Sequence, residues 1–263
     1  MGFLNIDEGF LQLVVDVVKH AGAIIETIAS EGYETKYKEG TDPVTTADLA
    51  ANDFLRQRLM AVLPEAGWLS EETKDSDERL LKRYVWIVDP IDGTKEFVER
   101  VPEYAVSVAL SYEGHALLGV VYNPAKDECY AGLVGVGAWL NGDSVSAVFL
   151  SEGKLKVLGS RSEIKRGEFE HFMQLVEVEA VGSIAYKLAL VASGRANATW
   201  SLGPKNEWDI AAGVALINAA GGKVADPEGR DFIFNRKNTL VDGVIAATEK
   251  DFMQVIEMIR MTD

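Results

Sequence analysis

A mixed α and β fold built in layers, with two lobes meeting near residue 145, is what the sequence predicts, and three observations predict it. Segments with apolar residues at helical spacing alternate with apolar runs of strand length. The 263 residues suffice to bury a substantial core, as one large domain or two smaller ones. Neither an internal repeat nor a low-complexity linker interrupts the alternation. The expected lobes are residues 1–144 (α+β) and 145–263 (α/β).

From about Asp7 to Ser30, Phe10, Leu11, Val14, Val17, Val18, Ala21, Ile24, Ile25 and Ile28 recur at three- and four-residue steps, the mark of an amphipathic helix. A second helix is expected from "TTAD" to about Leu63, with Thr45 or Thr46 as cap and Asp48 in its first turn. Strands are expected at 67–70, 84–89, 104–111 and 115–122, the last two joined by "YEG" as an antiparallel hairpin. The glycine-rich stretch 132–142 reads as turn. Further strands fall near 155–159 and 244–247, and helices near 185–194, 208–220 and 249–260.

Acids outnumber Lys and Arg by 41 to 26, a net charge of −15 that argues against nucleic-acid or anionic-membrane partners. An acidic protein handling an anion needs metal ions to reverse the local field. The single Cys129 cannot form an internal disulfide, no apolar run reaches membrane-spanning length, and "MGFLNIDEGF" lacks a basic secretory start, so a cytoplasmic protein is expected.

The chemistry concentrates in "VWIVDPIDGTKEF" (85–97). An apolar strand ends in Asp89 and Asp92, three residues apart across a turn that Pro90 and Gly93 make feasible. Two carboxylates turned to one point repel unless a cation lies between them, and oxygen ligands without His or Cys favour Mg²⁺. Thr94 adds a hydroxyl, and the amides of Gly93 and Thr94 face a phosphate if a helix starts there. Three other acidic stretches stand alongside it. "LSEET" places Glu71 and Glu72 after a short strand, "TDPVTTAD" sets Asp48 at a helix start, and "NEWDIAAGVALINAAGG" puts Asp209 in a first helical turn. Taken singly, these read as an acidic loop and two helix-start acids.

In this order, "DPVTTAD", "SEET", "WIVDPIDGT" and "WDIAAG…AGG" resemble the inositol monophosphatase superfamily of Mg²⁺-dependent, lithium-sensitive phosphatases, over about residues 38–226. The resemblance implies a layered α-β-α-β-α sandwich of the inositol monophosphatase and fructose-1,6-bisphosphatase type, with two or three Mg²⁺ per site. It implies that Glu71, Asp89 and the Ile91 carbonyl hold one ion and Asp89, Asp92 and Asp209 a second, with Glu71 also facing a third. Asp48 and Thr94 would orient and deprotonate the attacking water, with Glu71 counted beside them among the catalytic residues. Glu72 would support the ligands from behind. Substrate contacts are implied for Asp92, Gly93, Thr94, Lys95, Gly182, Ser183, Lys187 and Asp209. Lys38 matches a basic residue near the family's site.

Within the superfamily, "GTKEF" and "SLGPKNEWD" resemble the CysQ-type 3'(2'),5'-bisphosphate nucleotidases, and no glutamate stands where inositol phosphatases hold the ring hydroxyls. "GSIAYKLALVASGRA" departs from the nucleotidase pattern in its Gly182-to-Lys187 spacing. The resemblance thus implies hydrolysis of adenosine 3',5'-bisphosphate, with inositol-1-phosphate or fructose-1,6-bisphosphate as the alternative substrates. A non-catalytic sensor on the same fold is disfavoured because every ligand type is present. The expected partner is a small phosphate monoester, and a homodimer is allowed. His20, His115 and His171 lack metal spacing, "GLVGVG" lacks nucleotide-loop spacing, and the five tryptophans read as core anchors.

Overall fold

The computed structural model describes residues 6–38, 42–149 and 153–261. Thr41, at the start of "TDPVTTAD", lies outside the described residues. The chain opens with α1 (Glu8–Glu31), capped by the Asp7 carboxylate, which accepts the Phe10 amide at 3.0 Å. A short hairpin, β1 (Thr35–Tyr37) and β2 (Pro43–Thr45), leads into α2 (Thr46–Val62), whose cap is Thr45.

A seven-stranded sheet follows, from β3 (Gly67–Ser70), β4 (Tyr84–Asp92), β5 (Ala105–Tyr112), β6 (His115–Asn123), β7 (Glu128–Leu133), β8 (Gly137–Leu140) and β9 (Asp143–Val145), hydrogen-bonded in sequence order. The β3–β4 pair is parallel and the rest are antiparallel. A 3₁₀ turn (Asp77–Leu81) precedes β4, and α3 (Thr94–Val98) follows it. The second half comprises β10 (Leu155–Gly159), α4 (Arg161–Lys165), β11 (Val176–Ala180), α5 (Ile184–Ala192), β12 (Ala198–Ser201), β13 (Lys205–Asn206) and α6 (Glu207–Ala219). It closes with β14 (Lys223–Ala225), β15 (Leu240–Val241), β16 (Val244–Ala247) and α7 (Phe252–Arg260). A mixed five-stranded sheet runs β11-β10-β12-β16-β14, and β13 pairs with β15.

Period-two alternation in β4 separates two cores. Trp86 and Val88 face α1 and α2, packing with Val14, Val18 and Leu55, while Val85 and Ile87 face the central layer of α5 and α6. The second sheet repeats the device: Val244 and Ala246 of β16 point to the central layer, and Ile245 and Ala247 to the outer core with α7, Phe169, Phe172 and Trp200. The result is the expected α-β-α-β-α sandwich. Between the sheets, α6 is buried from Ile210 through Ile217, as a helix apolar on all sides must be.

Several elements differ from the sequence reading. Strand β4 continues through Pro90 to Asp92, where the sequence ends it at Asp89. Its pairing with β5 shifts register between Asp89 and Asp92, a bulge that tolerates the missing proline N–H. The stretch 132–142 is mostly strand: β7 closes at Leu133, a turn intervenes, and β8 begins at Gly137. The strands β1, β2, β9, β13, β14 and β15 are only two or three residues long, too short for an alternation to register. Trp86 and Trp200 are core anchors, whereas Trp68, Trp139 and Trp208 are half-buried.

The close approach of α6 to the sheet depends on Gly119 of β6, where an added Cβ would lie 2.3 Å from the Ala212 carbonyl oxygen and 3.0 Å from the Ala215 Cβ. Gly119→Ala is therefore expected to destabilise the protein by about 1–3 kcal/mol through overpacking, measured by urea unfolding. Because the displaced helix carries Asp209, divalent-ion affinity should fall as well. An unchanged unfolding midpoint would contradict this packing.

Candidate active site

Three elements deliver four acidic side chains to one cleft of about 390 Å³, lined by Glu71, Asp89, Ile91, Asp92, Gly93, Thr94, Lys95 and Glu96, and also by Ser183, Lys187, Lys205 and Asp209. Glu71 follows β3, Asp89 and Asp92 end β4, and Asp209 lies in the first turn of α6. One carboxylate oxygen each of Glu71, Asp89 and Asp209 lies within 4.8 Å of the others, a spacing a single cation can span. All the donors are oxygens, which fits a hard divalent ion.

The three aspartates are aimed by the backbone. Asp89 accepts the Ile91 amide at 3.0 Å, folding its side chain back over the Pro90 bulge. Asp209 accepts the Asn206 amide at 2.7 Å in a capping box that also orients α6. Asp92 accepts the Ala185 amide at 2.6 Å and a short hydrogen bond from the Ser183 hydroxyl, at the start of α5. The Ser183 hydroxyl also accepts the Tyr186 amide at 3.0 Å, so it is committed to holding Asp92 and capping α5.

Behind this group, Asp48 is 1% exposed and accepts the Thr45 amide at 2.7 Å and the Thr45 hydroxyl at 2.5 Å. The Thr94 hydroxyl lies 3.0 Å from both Asp48 Oδ1 and the Ile91 carbonyl oxygen, either of which can accept its hydrogen. Gly93 caps α3 with φ 96°, a conformation that favours glycine, and α3 begins at Thr94 as the phosphate-cradle reading requires. Gly182 packs against Glu96, where an added Cβ would fall 2.5 Å from Cγ. Glu72 is bound by Lys38 at 2.6 Å, and the same ammonium reaches Glu71 at 2.8 Å. Lys95 is exposed and pairs with Asp42 at 2.9 Å. Lys187 is 2% exposed on the cleft wall, 3.6 Å from Glu163.

Site residues outside the sequence reading come from the second half. Glu163, Arg166, Lys205, Ser160 and Ser162 also line the cleft. Glu163 caps α4 with Ser160, and "SRSE" carries the Ser-x-x-Glu signature that announces that helix. Nothing in its local sequence announces the cleft. The histidines hold no such place: His20, His115 and His171 are all exposed.

Crowding shows in the acidities. Burial, then the charges of Glu71, Asp92 and Asp209, push Asp89 well above the usual carboxylate range. Burial and Asp92 do the same to Asp209. Burial lifts Asp92 to about 6 against the opposing hydrogen bonds of Ser183 and Ala185. Glu163 behaves oppositely: burial would raise it, but the Lys187 charge and the hydroxyls of Ser160 and Ser201 bring it to about 2. Burial lowers Lys187 despite the charges of Glu163 and Asp92.

The Inositol monophosphatase family model matches residues 7–260. Inositol monophosphatase 3 of Solanum lycopersicum is 34% identical over 86% of this chain and 88% of its own length. The 3'(2'),5'-bisphosphate nucleotidase CysQ of Shigella flexneri is 33% identical over 88% of this chain and 96% of its own. Among solved structures, the extragenic suppressor protein suhB from Bartonella henselae superposes with a TM-score of 0.82 at 28% identity, covering 95% of this chain and 98% of that one. Among the described residues, no helix is long and apolar enough to cross a membrane.

An acid whose folded pKa is raised stabilises the fold while protonated, and that contribution is lost as pH climbs from the unfolded value through the folded one. For Asp92 the window runs from the ordinary aspartate value of 3.8 to about 6. Metal-free protein should therefore lose on the order of 1–3 kcal/mol from this group across that window. Chemical denaturation at a series of pH values checks it. Asp92→Asn should remove this part of the profile, and an identical profile in the variant would contradict the assignment.

Proposed function

The chain belongs to the inositol monophosphatase family, whose members are metal-dependent phosphoric monoester hydrolases acting on small phosphate esters, and from that premise we propose a Mg²⁺-dependent 3'(2'),5'-bisphosphate nucleotidase that cleaves adenosine 3',5'-bisphosphate. The observation that carries this reading is the presence of both signs of charge in one cleft. Beside the carboxylates, it is lined by Lys95, Arg166, Lys187 and Lys205. A substrate with a second phosphate can engage these cations; a lone phosphate on a neutral ring leaves them without an anion.

Glu71, Asp89 and the Ile91 carbonyl would hold one ion, and Asp89, Asp92 and Asp209 another. Bound there, divalent ions supply charge neutralisation, contacts to phosphate oxygens and acidity to a coordinated water. Two Mg²⁺ would balance the four carboxylates and turn a site hostile to phosphate into one that admits it. The remaining work falls to the chain. Thr94 can accept a hydrogen bond from the attacking water while donating to Asp48, so the proton passes along Thr94 to a carboxylate whose own donors come from Thr45. Burial raises Asp48 above the ordinary range against those donors, which favours it as the proton's resting place. The amides at the start of α3 face the phosphate, and Ser183 keeps Asp92 from turning away. As the water oxygen bonds to phosphorus the P–O ester bond breaks, and the leaving oxygen takes a proton from solvent to depart as an alcohol.

A second reading, an inositol or sugar monophosphate as substrate, is favoured by the comparable identity to the protein named inositol monophosphatase 3. Steady-state kinetics with Mg²⁺ separates them. The kcat/KM for adenosine 3',5'-bisphosphate should exceed those for inositol-1-phosphate and fructose-1,6-bisphosphate by about tenfold or more, ~1.4 kcal/mol of differential transition-state binding. The reverse order would replace the substrate. Asp89→Asn should reduce kcat about 1,000-fold or more, ~4 kcal/mol, while leaving metal-free stability equal or higher because a buried repulsion is relieved. Activity retained at saturating Mg²⁺ would refute the ligand assignment.

A further inference from the structure

Glu96 stands in the first turn of α3 and lines the same cleft as the metal-site carboxylates. Two glycines make room for its side chain. A Cβ added to Gly182 would fall 2.5 Å from Glu96 Cγ and 2.8 Å from its Oε1, and one added to Gly93 would lie 3.4 Å from its Oε2. The carboxylate is thus held between the residue that caps α3 and the residue before Ser183, beside the amides assigned above to the phosphate.

What this carboxylate lacks is donors. Asp92 is served by Ser183 and Ala185, and Glu163 by Ser160 and Ser201. Among the described residues, the one hydrogen-bond donor to the Glu96 carboxylate is its own amide. The nearby cations Arg161 and Lys187 are engaged elsewhere, with Glu103 at 2.6 Å and Glu163 at 3.6 Å. Burial raises the Glu96 pKa against the pull of that amide and of the two cations. A partly buried carboxylate with acceptor positions to spare is costly, and a donor arriving with the substrate removes that cost.

We propose that Glu96 selects the sugar of the substrate, accepting a hydrogen bond from the ring hydroxyl beside the phosphate ester. The chemistry of the substrate class narrows the donor. The donors nearest the phosphate of a sugar phosphate are hydroxyls, whereas a second phosphate is an anion that Glu96 repels and that Arg166, Lys187 and Lys205 attract. Position narrows it further. One short helix presents both its first amides and Glu96, so a phosphate at those amides brings the hydroxyl on the adjacent carbon closest to the carboxylate. In adenosine 3',5'-bisphosphate cleaved at its 3' ester, that hydroxyl is the 2'-OH. Glu96 is a binding residue in this role and moves no proton in the reaction.

This inference rests on the phosphatase reading above, and its test separates the two. The test is a cycle of two deletions, one on the enzyme and one on the substrate. With Mg²⁺, kcat/KM is measured for adenosine 3',5'-bisphosphate and its 2'-deoxy analogue on wild type, Glu96→Ala and Glu96→Gln. Wild type should prefer the ribose substrate by about tenfold or more, the scale of one hydrogen bond to a charged group. Glu96→Ala should lose that preference, falling about tenfold on the ribose substrate and about twofold or less on the deoxy one. Glu96→Gln keeps an acceptor oxygen and should retain part of it. Gly182→Ala places a methyl against the Glu96 side chain, so it should weaken the preference in wild type and change nothing further in Glu96→Ala. Equal ribose preference in wild type and Glu96→Ala, or none in wild type, overturns the role of Glu96 and leaves the phosphatase standing. If inositol-1-phosphate proves the better substrate, the nucleotide reading falls, and the same cycle with inositol-1-phosphate and its analogues lacking either hydroxyl beside the ester decides Glu96. Hydrolysis of none of these esters overturns both. If circular dichroism shows Glu96→Ala unfolded, Glu96→Gln and Gly182→Ala decide.

Discussion

Mutual repulsion among carboxylates at the end of β4 is the constraint around which the molecule is organised. Asp89 and Asp92 are both buried, Glu71 and Asp209 converge on them, and burial compounds the repulsion by weakening solvation of each charge. A flexible loop would relieve such crowding by turning the side chains outward. Here they cannot turn. Strand β4 is pinned between β3 and β5 and buried on both faces, and its bulge at Pro90 directs Asp89 and Asp92 into the same cleft. The stability to hold this arrangement comes from apolar layers remote from the charges.

Those layers also explain how residues distant in sequence meet. Helix α6 is buried between the two sheets, so the acid in its first turn is fixed relative to β4, from which it is separated by more than a hundred residues of chain. Helix α5 does the same for Ser183, whose hydroxyl spans 91 positions to hold Asp92. The outer helix α2 places Asp48 behind Thr94 through a capping box that serves helix stability and site geometry together. Capping and ligand placement thus share side chains, because a helix start is where unsatisfied amides and acidic side chains already meet.

Charge is distributed with the same economy. The chain is strongly acidic overall, yet the cleft that gathers the carboxylates is also lined by Arg166, Lys187 and Lys205. Buried Glu163 ties these cations to the fold, since it pairs with Lys187 while accepting hydroxyls from Ser160 and Ser201. Lys38 pairs in turn with Glu71 and Glu72. An anionic substrate can enter an acidic protein because cations, some covalent and some exchangeable, face it locally.

The sequence by itself determined the long elements and the acidic residues that gather around the end of β4. Helix α1 and the inner strands carry strong periodicity because they bury one or both faces, and Asp48, Glu71, Asp89, Asp92 and Asp209 stand in local motifs with characteristic neighbours. It could not determine Glu163, Arg166 or Lys205 as cleft residues, since their neighbours are those of an ordinary surface helix and turn. The two- and three-residue strands were equally silent, because their pairing is imposed by adjacent strands rather than by their own alternation. Ser183 read as a substrate contact, yet its hydroxyl is turned to Asp92, and Lys38 read as a basic residue near the site, yet it clamps Glu71 to Glu72. Only the tertiary structure decided these partners. Local composition fixes what a side chain can donate or accept, but the stacking of sheets and helices fixes which atom lies within reach.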